Sequence, residues 1–323
     1  MRVLTANHHS AYLYLLAHTG HAFDVVGKWD FDNRPLPANF EMLSSIGDAR
    51  DLREYRVIIG HRPTDFASLL PRAFAFRIPY VQVIHGNVRR VGEGRGSLRA
   101  WLRRASKRIG LRALFQVFAL SGAVRFVFIS QYDKQGWGVE GAVIDHGIPI
   151  SEMYPYTGEK SELLTVGNAL HREHFDRAMM ASVREKLPVQ IIGVNSKIEG
   201  SRPSRDWDDL RAMYQTYRSY LNFTREPERG YTLSTLEAMA VGMPVVAIRH
   251  RVTPIVDGEN GFLVDTAEEM IARARLLLAD VKLARRLGQS ARQTVKTRYG
   301  IDRFVGQWNE VLYAAAGQRI KRL

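Results

Sequence analysis

The feature that most constrains this chain is a series of short β-branched runs separated by segments of helical period, because strands joined by helical crossovers pair in parallel. Such runs stand near Arg2 to Thr5, Phe23 to Val26, Val57 to Ile59, Val81 to Ile84, Phe126 to Ile129 and Ala142 to Ile144. A second series takes Leu163 to Val166, Val189 to Ile192, Ser219 to Asn222, Val245 to Ile248 and Gly261 to Val264. Between them Pro149, Pro155 and Gly158 interrupt both periodicities and supply a hinge. The pattern predicts two α/β domains in tandem, over 1–150 and 151–305. Ligands bind such sheets beyond the carboxyl ends of the strands, so the expected site is the cleft between the two. Helices are expected over Ala267 to Leu278, Val281 to Thr297 and Asp302 to Ala316, with the end of the chain, 306–323, packing back on the N-terminal domain.

Composition narrows the chemistry. The 323 residues contain 46 Lys and Arg against 33 Asp and Glu, a net charge of +13, which favours anionic partners. Zero cysteines exclude a disulfide framework, a zinc ribbon, an iron–sulfur centre and a thiol nucleophile. The first residues hold one Arg, a polar break from Asn7 to Ser10 and only a short apolar run. Neither a cleavable signal nor a membrane span is indicated, and a cytoplasmic location is expected.

Arg225 to Gly261 is the most informative stretch. Gly230 permits close backbone approach, Tyr231 or Thr232 opens a helix, and Leu233, Leu236 and Ala240 give that helix its buried face. Gly242 then ends it before Pro244 leads into a strand. A glycine before a free helix N-terminus, with its unpaired N–H groups and partial positive charge, suits a phosphate. Glu237, about one and a half turns in, has the chemistry to accept two hydrogen bonds from vicinal hydroxyls such as those of a ribose. The structural alternative is a plain turn and a solvated Glu.

The run GYTLSTLEAMAVGMPVVA followed by DGENGFLV resembles the C-terminal signature of the family-four retaining glycosyltransferases. Weaker likeness extends over nearly the whole chain, through IDHGI at Ile144 to Ile148 and LLTVGN at Leu163 to Asn168. The resemblance implies the GT-B fold, two facing Rossmann-like domains, and transfer of a sugar from a nucleoside diphosphate donor. It places Gly230, Tyr231 and Thr232 at the diphosphate and Glu237 at the ribose. The family's first acid falls on Arg229, with Glu228 one place early as its stand-in. The usual basic clamp is out of register, because Asn168 follows Gly167; Arg172, His174 or Arg177 takes its place beside Asn168. In the N-terminal half, His85 ends the run VQVIH, where the family's histidine contacts the donor sugar, against the alternative of a satisfied core histidine. His8 and His9 follow the first strand and are assigned to the acceptor side. The resemblance implies no protein nucleophile and no essential metal or other cofactor. Asp30-Phe31-Asp32 and Asp206-Trp207-Asp208 match the metal-binding triplet of another transferase fold but lie outside its setting.

The stretch from Arg89 to Arg112 is strongly cationic, with only Glu93 opposed. From about Ser97, Leu98, Trp101, Leu102, Ala105 and Ile109 follow helical spacing beside Arg99, Arg103, Arg104, Lys107 and Arg108. Such a helix suits an anionic bilayer, with Trp101 and those five cations at its surface; the alternative faces its apolar side to the core. No nucleic-acid motif accompanies the charge, so nucleic acid is not an expected partner. The sequence thus predicts a retaining transferase using a UDP- or GDP-sugar and a glycan or lipid-linked acceptor, peripheral at the inner face of the cell membrane. An inactive nucleotide-sugar or glycan-binding protein of the same fold is the other reading.

Overall fold

The computed structural model describes residues 1–29, 34–88, 98–225 and 231–317, with the backbone alone over 98–104. They form two compact units. The first takes the chain up to Gly147, apart from Arg34, together with the stretch from Ile301 onward; the second takes Ile148–Gly300 with Arg34.

In the first unit, strands β1 (Arg2–Ala6), β2 (Ala22–Val26), β3 (Phe40–Leu43), β4 (Val57–Gly60), β5 (Tyr80–Ile84), β6 (Val124–Phe128) and β7 (Ala142–Val143) make one parallel sheet in the order β3-β2-β1-β4-β5-β6-β7. Helices α1 (Ser10–Ala17), α2 (Pro63–Phe76), α3 (Leu98–Leu120) and α4 (Gln131–Trp137) supply crossovers. The central strand β4 reads as an unbroken apolar run because both of its faces are covered; Val57, Ile58 and Ile59 are fully buried.

The second unit repeats the plan. Strands β8 (Lys160–Val166), β9 (Val189–Ile192), β10 (Ser201–Arg202), β11 (Tyr217–Asn222), β12 (Val245–Ile248) and β13 (Gly261–Val264) stand in the parallel order β10-β9-β8-β11-β12-β13. Helices α5 (Arg177–Lys186), α6 (Trp207–Thr216), α7 (Leu233–Val241), α8 (Ala267–Ala279) and α9 (Val281–Arg298) pack on it, and α10 (Ile301–Ala316) goes with the first unit. Trp308 of α10 is fully buried and donates its indole N–H to the Tyr12 hydroxyl at 3.1 Å.

Two edge strands escape the sequence pattern. The β3 run Phe-Glu-Met-Leu contains no β-branched residue, and β10 has only two residues. Both are short edge strands, held by register on β2 and β9 and not by their own propensity. In each sheet the strand order reverses once, between β1 and β4 and between β8 and β11, and a crevice opens outside the strand ends at such a point. Among the described residues no helix is long and apolar enough to cross a membrane.

Candidate functional site

In the second unit the reversal point gathers most of the anion-binding candidates. After β8, the Gly167-Asn168 turn is tied to the next loop: Asn195 donates to the Gly167 carbonyl at 2.8 Å and accepts from the Leu170 N–H at 2.8 Å. Asn168 Oδ1 accepts from the Val194 N–H at 2.7 Å, so this side-chain oxygen staples a turn. Gly193 between them has φ +133°, and a Cβ there would lie 2.2 Å from the Gly167 oxygen; no other residue fits. Arg172 is exposed and His174 half-buried against Phe175. Their segment runs beside the chain leaving β11, through the Phe175–Thr224 bridge and the Arg225 N–H donating to the His174 carbonyl at 2.9 Å.

The N-terminus of α7 is pinned to the end of β8. Thr232 is its N-cap, accepting from the Thr235 N–H at 3.3 Å while Thr235 Oγ1 accepts from the Thr232 N–H at 3.2 Å. Ser234 donates to the Val166 carbonyl at 3.0 Å, and the Tyr220 hydroxyl donates to the same oxygen at 3.0 Å. The amides of Leu233 and Ser234 keep no partner among the described residues, which leaves two N–H groups for an anion. Tyr231 contributes only its backbone to this end, since its side chain is buried against Tyr299.

Glu237 is not a solvated helix residue. One carboxylate oxygen pairs with Arg34 and the other accepts from the Tyr214 hydroxyl at 3.1 Å. The side chains of Arg34 and Glu237 are only 1% and 7% exposed, and the guanidinium lies 3.5 Å over the Trp207 ring. Burial, followed by the Glu237 charge, holds the Tyr214 hydroxyl well above its ordinary pKa, so it stays a donor. Sequence reading missed all three partners. Trp207 and Tyr214 are seven apart on α6 and share a face, a readable signal, but nothing local marks Arg34, which is 203 positions from Glu237. Asp206, in the second acidic triplet, is the N-cap of α6, accepting from the Asp209 N–H at 2.7 Å.

The first unit gathers a different set at its own reversal point. His8 and His9 follow β1, His61 follows β4 and His85 follows β5. The His9 ring stacks on His85 at 5.9 Å, His8 meets it edge-on at 6.1 Å, and Tyr12 lies 4.7 Å from it. His61 Nδ1 lies 2.8 Å from His85 Nε2. Burial pushes His61 down to about 3, opposed by the Asp65 carboxylate, and burial likewise holds His85 well below the ordinary range. The cluster is therefore uncharged at its centre at neutral pH. His61 was missed, although the rule that singled out His85, a histidine at the carboxyl end of an apolar strand, applies to it equally.

Gly230, Glu228, Arg229 and the triplet at Asp30 lie outside the described residues, as do the side chains of Arg99, Trp101, Arg103 and Arg104. Lys107 is exposed and Arg108 half-buried. The core side of α3 is formed by Leu111, Phe115, Phe118 and Ala119. Its other face is apolar yet open: Ile109, Val117 and Leu120 are 69%, 63% and 74% exposed.

Residues 157–280 match the family model of the glycosyl transferases group 1. Trehalose synthase of Pyrococcus horikoshii is 31% identical over 90 residues, 27% of this chain and 22% of that protein, so the match spans about a fifth of that relative. The sucrose-phosphate synthase structure from Thermosynechococcus elongatus superposes with a TM-score of 0.69 at 16% identity, over 98% of this chain and 100% of that one. HepE of Anabaena, in complex with UDP-glucose, gives 0.71 at 14% identity, over 97% and 100%. The chain carries a group 1 glycosyl transferase domain and has the GT-B fold of two Rossmann-like domains.

Proposed function

From a group 1 domain on a GT-B fold, we propose that this protein is a glycosyltransferase moving a sugar from a UDP- or GDP-sugar to a glycan or lipid-linked acceptor, with retention of anomeric configuration. The observation that carries this reading is α7, whose N-terminus keeps two unpartnered amides one turn from the buried carboxylate of Glu237. In this reading the amides of Leu233 and Ser234 receive the diphosphate, Arg172 adds charge, and the ribose hydroxyls take Glu237 in exchange for Arg34. The UDP-glucose complex of HepE makes a UDP-sugar the first donor to try. His85 meets a hydroxyl of the transferred sugar, with His8 and His9 toward the acceptor. Catalysis then rests on positioning and on stabilising the leaving diphosphate by fixed dipoles and cations, with no metal in a required role.

The open apolar face of α3 beside Lys107 and the neighbouring arginines supports a place on an anionic membrane at its cytoplasmic face, where a lipid-linked acceptor lies. A non-catalytic nucleotide-sugar- or glycan-binding protein of the same fold is the second reading, favoured by Asn168 standing where a basic clamp is expected and stapling a turn instead. The deciding experiment incubates the purified protein with a panel of UDP- and GDP-sugars and candidate acceptors, in buffer with and without EDTA. Release of nucleoside diphosphate with matching, EDTA-insensitive glycoside formation is expected; binding without release would leave the second reading standing.

A further inference from the structure

The Thr5 hydroxyl has one proton and two neighbours, the Ile59 carbonyl at 3.1 Å and His61 Nε2 at 3.1 Å. A carbonyl oxygen only accepts, so the hydroxyl proton goes to Ile59, and the hydroxyl oxygen then receives a proton from His61 Nε2. His61 is neutral, so its Nδ1 carries the lone pair and accepts at 2.8 Å from His85 Nε2–H. The opposite assignment would set the Thr5 and Ile59 oxygens against each other at 3.1 Å with no proton between them. One protonation pattern alone satisfies all three contacts. It leaves His85 with its lone pair on Nδ1.

We propose that His61, itself oriented by Thr5, is a positioning residue that locks His85 in the Nε2–H tautomer, so that His85 meets its substrate as a hydrogen-bond acceptor through Nδ1. A neutral acceptor nitrogen binds a hydroxyl and rejects phosphate or carboxylate oxygens. The inference deepens the reading of His85 as a sugar-contacting residue and rests on it for the identity of the hydroxyl; the tautomer itself does not. Asp65 does not compete for the ring, because its carboxylate accepts from the backbone N–H groups of His61 at 3.1 Å and Arg62 at 2.9 Å, and from the Arg62 guanidinium.

The test is a long-range proton–nitrogen spectrum of histidine-labelled protein without substrate, which separates Nε2–H, Nδ1–H and doubly protonated rings. Nε2–H is expected for both His61 and His85; Nδ1–H or an imidazolium at His85 overturns the proposal. His61→Asn keeps an acceptor at the Nδ1 position and is expected to retain the His85 signature. His61→Leu removes it and is expected to give mixed tautomers and a ten- to a hundredfold lower kcat/KM, roughly the worth of an outer partner that orients a functional histidine. An unchanged His85 signature in His61→Leu assigns His61 a merely structural role. If that variant does not fold, Thr5→Val serves: both rings are expected to lose the single Nε2–H form, and unchanged spectra overturn the relay. If the wild-type spectra agree but no donor is turned over, it is the proposed function that fails.

Discussion

At the scale of single residues, the decisive contacts lie between groups far apart in sequence. The Arg34–Glu237 pair is buried, and removing one member of such a pair leaves an uncompensated charge. Arg34→Met is therefore expected to cost about 3–5 kcal/mol of stability, read by urea unfolding. On the proposed function it also frees the carboxylate, so UDP affinity measured by calorimetry should rise; an unchanged affinity would separate Arg34 from the ribose site. The histidine cluster makes a second prediction. His61 titrates near 6.5 when unfolded and is pushed down to about 3 when folded, so between those values the unfolded chain binds the extra proton. Its contribution is complete above pH 6.5 and is lost on acidification toward pH 3, at up to roughly 1.4 kcal/mol per pH unit. Stability should fall from pH 7 to pH 5, and fall less in His61→Asn; equal slopes in the two proteins would contradict the assignment of a neutral buried ring.

At the scale of elements, α7 is set by its neighbours as much as by its own sequence. The Gly242 φ of +95° ends it, and α9 packs so closely that a Cβ on Gly288 would lie 1.8 Å from the Gly242 oxygen. Gly288→Ala must push the two helices apart, at about 1–3 kcal/mol, and lower the thermal midpoint; an unshifted midpoint would mean that the contact relaxes freely. For α3, the apolar positions were legible by period, but the face they occupy was not. Ile109, placed by spacing in the stripe read as facing either a bilayer or the core, is open, while Leu111 and Phe115 point to the core. On the membrane reading, replacing three arginines between Arg99 and Arg108 by Gln removes about 1 kcal/mol each of attraction to anionic lipid, roughly a hundredfold in partition coefficient. Sedimentation with phosphatidylserine vesicles measures this, and undiminished binding would retire the membrane proposal.

At the scale of the whole molecule, the chain forms two compact units, and α10 near its end belongs to the first. Trp308→Ala empties a fully buried site in the first unit and removes the hydrogen bond to Tyr12, at an expected cost of about 3–5 kcal/mol read by calorimetry; an unshifted transition would contradict the docking of α10 on that unit. Fold class was legible because apolar runs of strand length alternating with helical segments admit few architectures, and the Gly-to-Gly signature from Gly230 to Gly261 added a resemblance to glycosyltransferases. Position along the chain also narrowed the start of α7 to Tyr231 or Thr232 and located the histidine at the end of β5, since helix starts and strand ends are local features. Local sequence does not encode which distant side chain enters a pocket. The chain by itself therefore determined the paired α/β plan and the elements that carry the candidate groups. Tertiary packing alone decided that Arg34 covers Glu237, that Tyr231 turns inward and that His61 backs His85, because partner choice depends on burial and geometry reached only when the strands are in register.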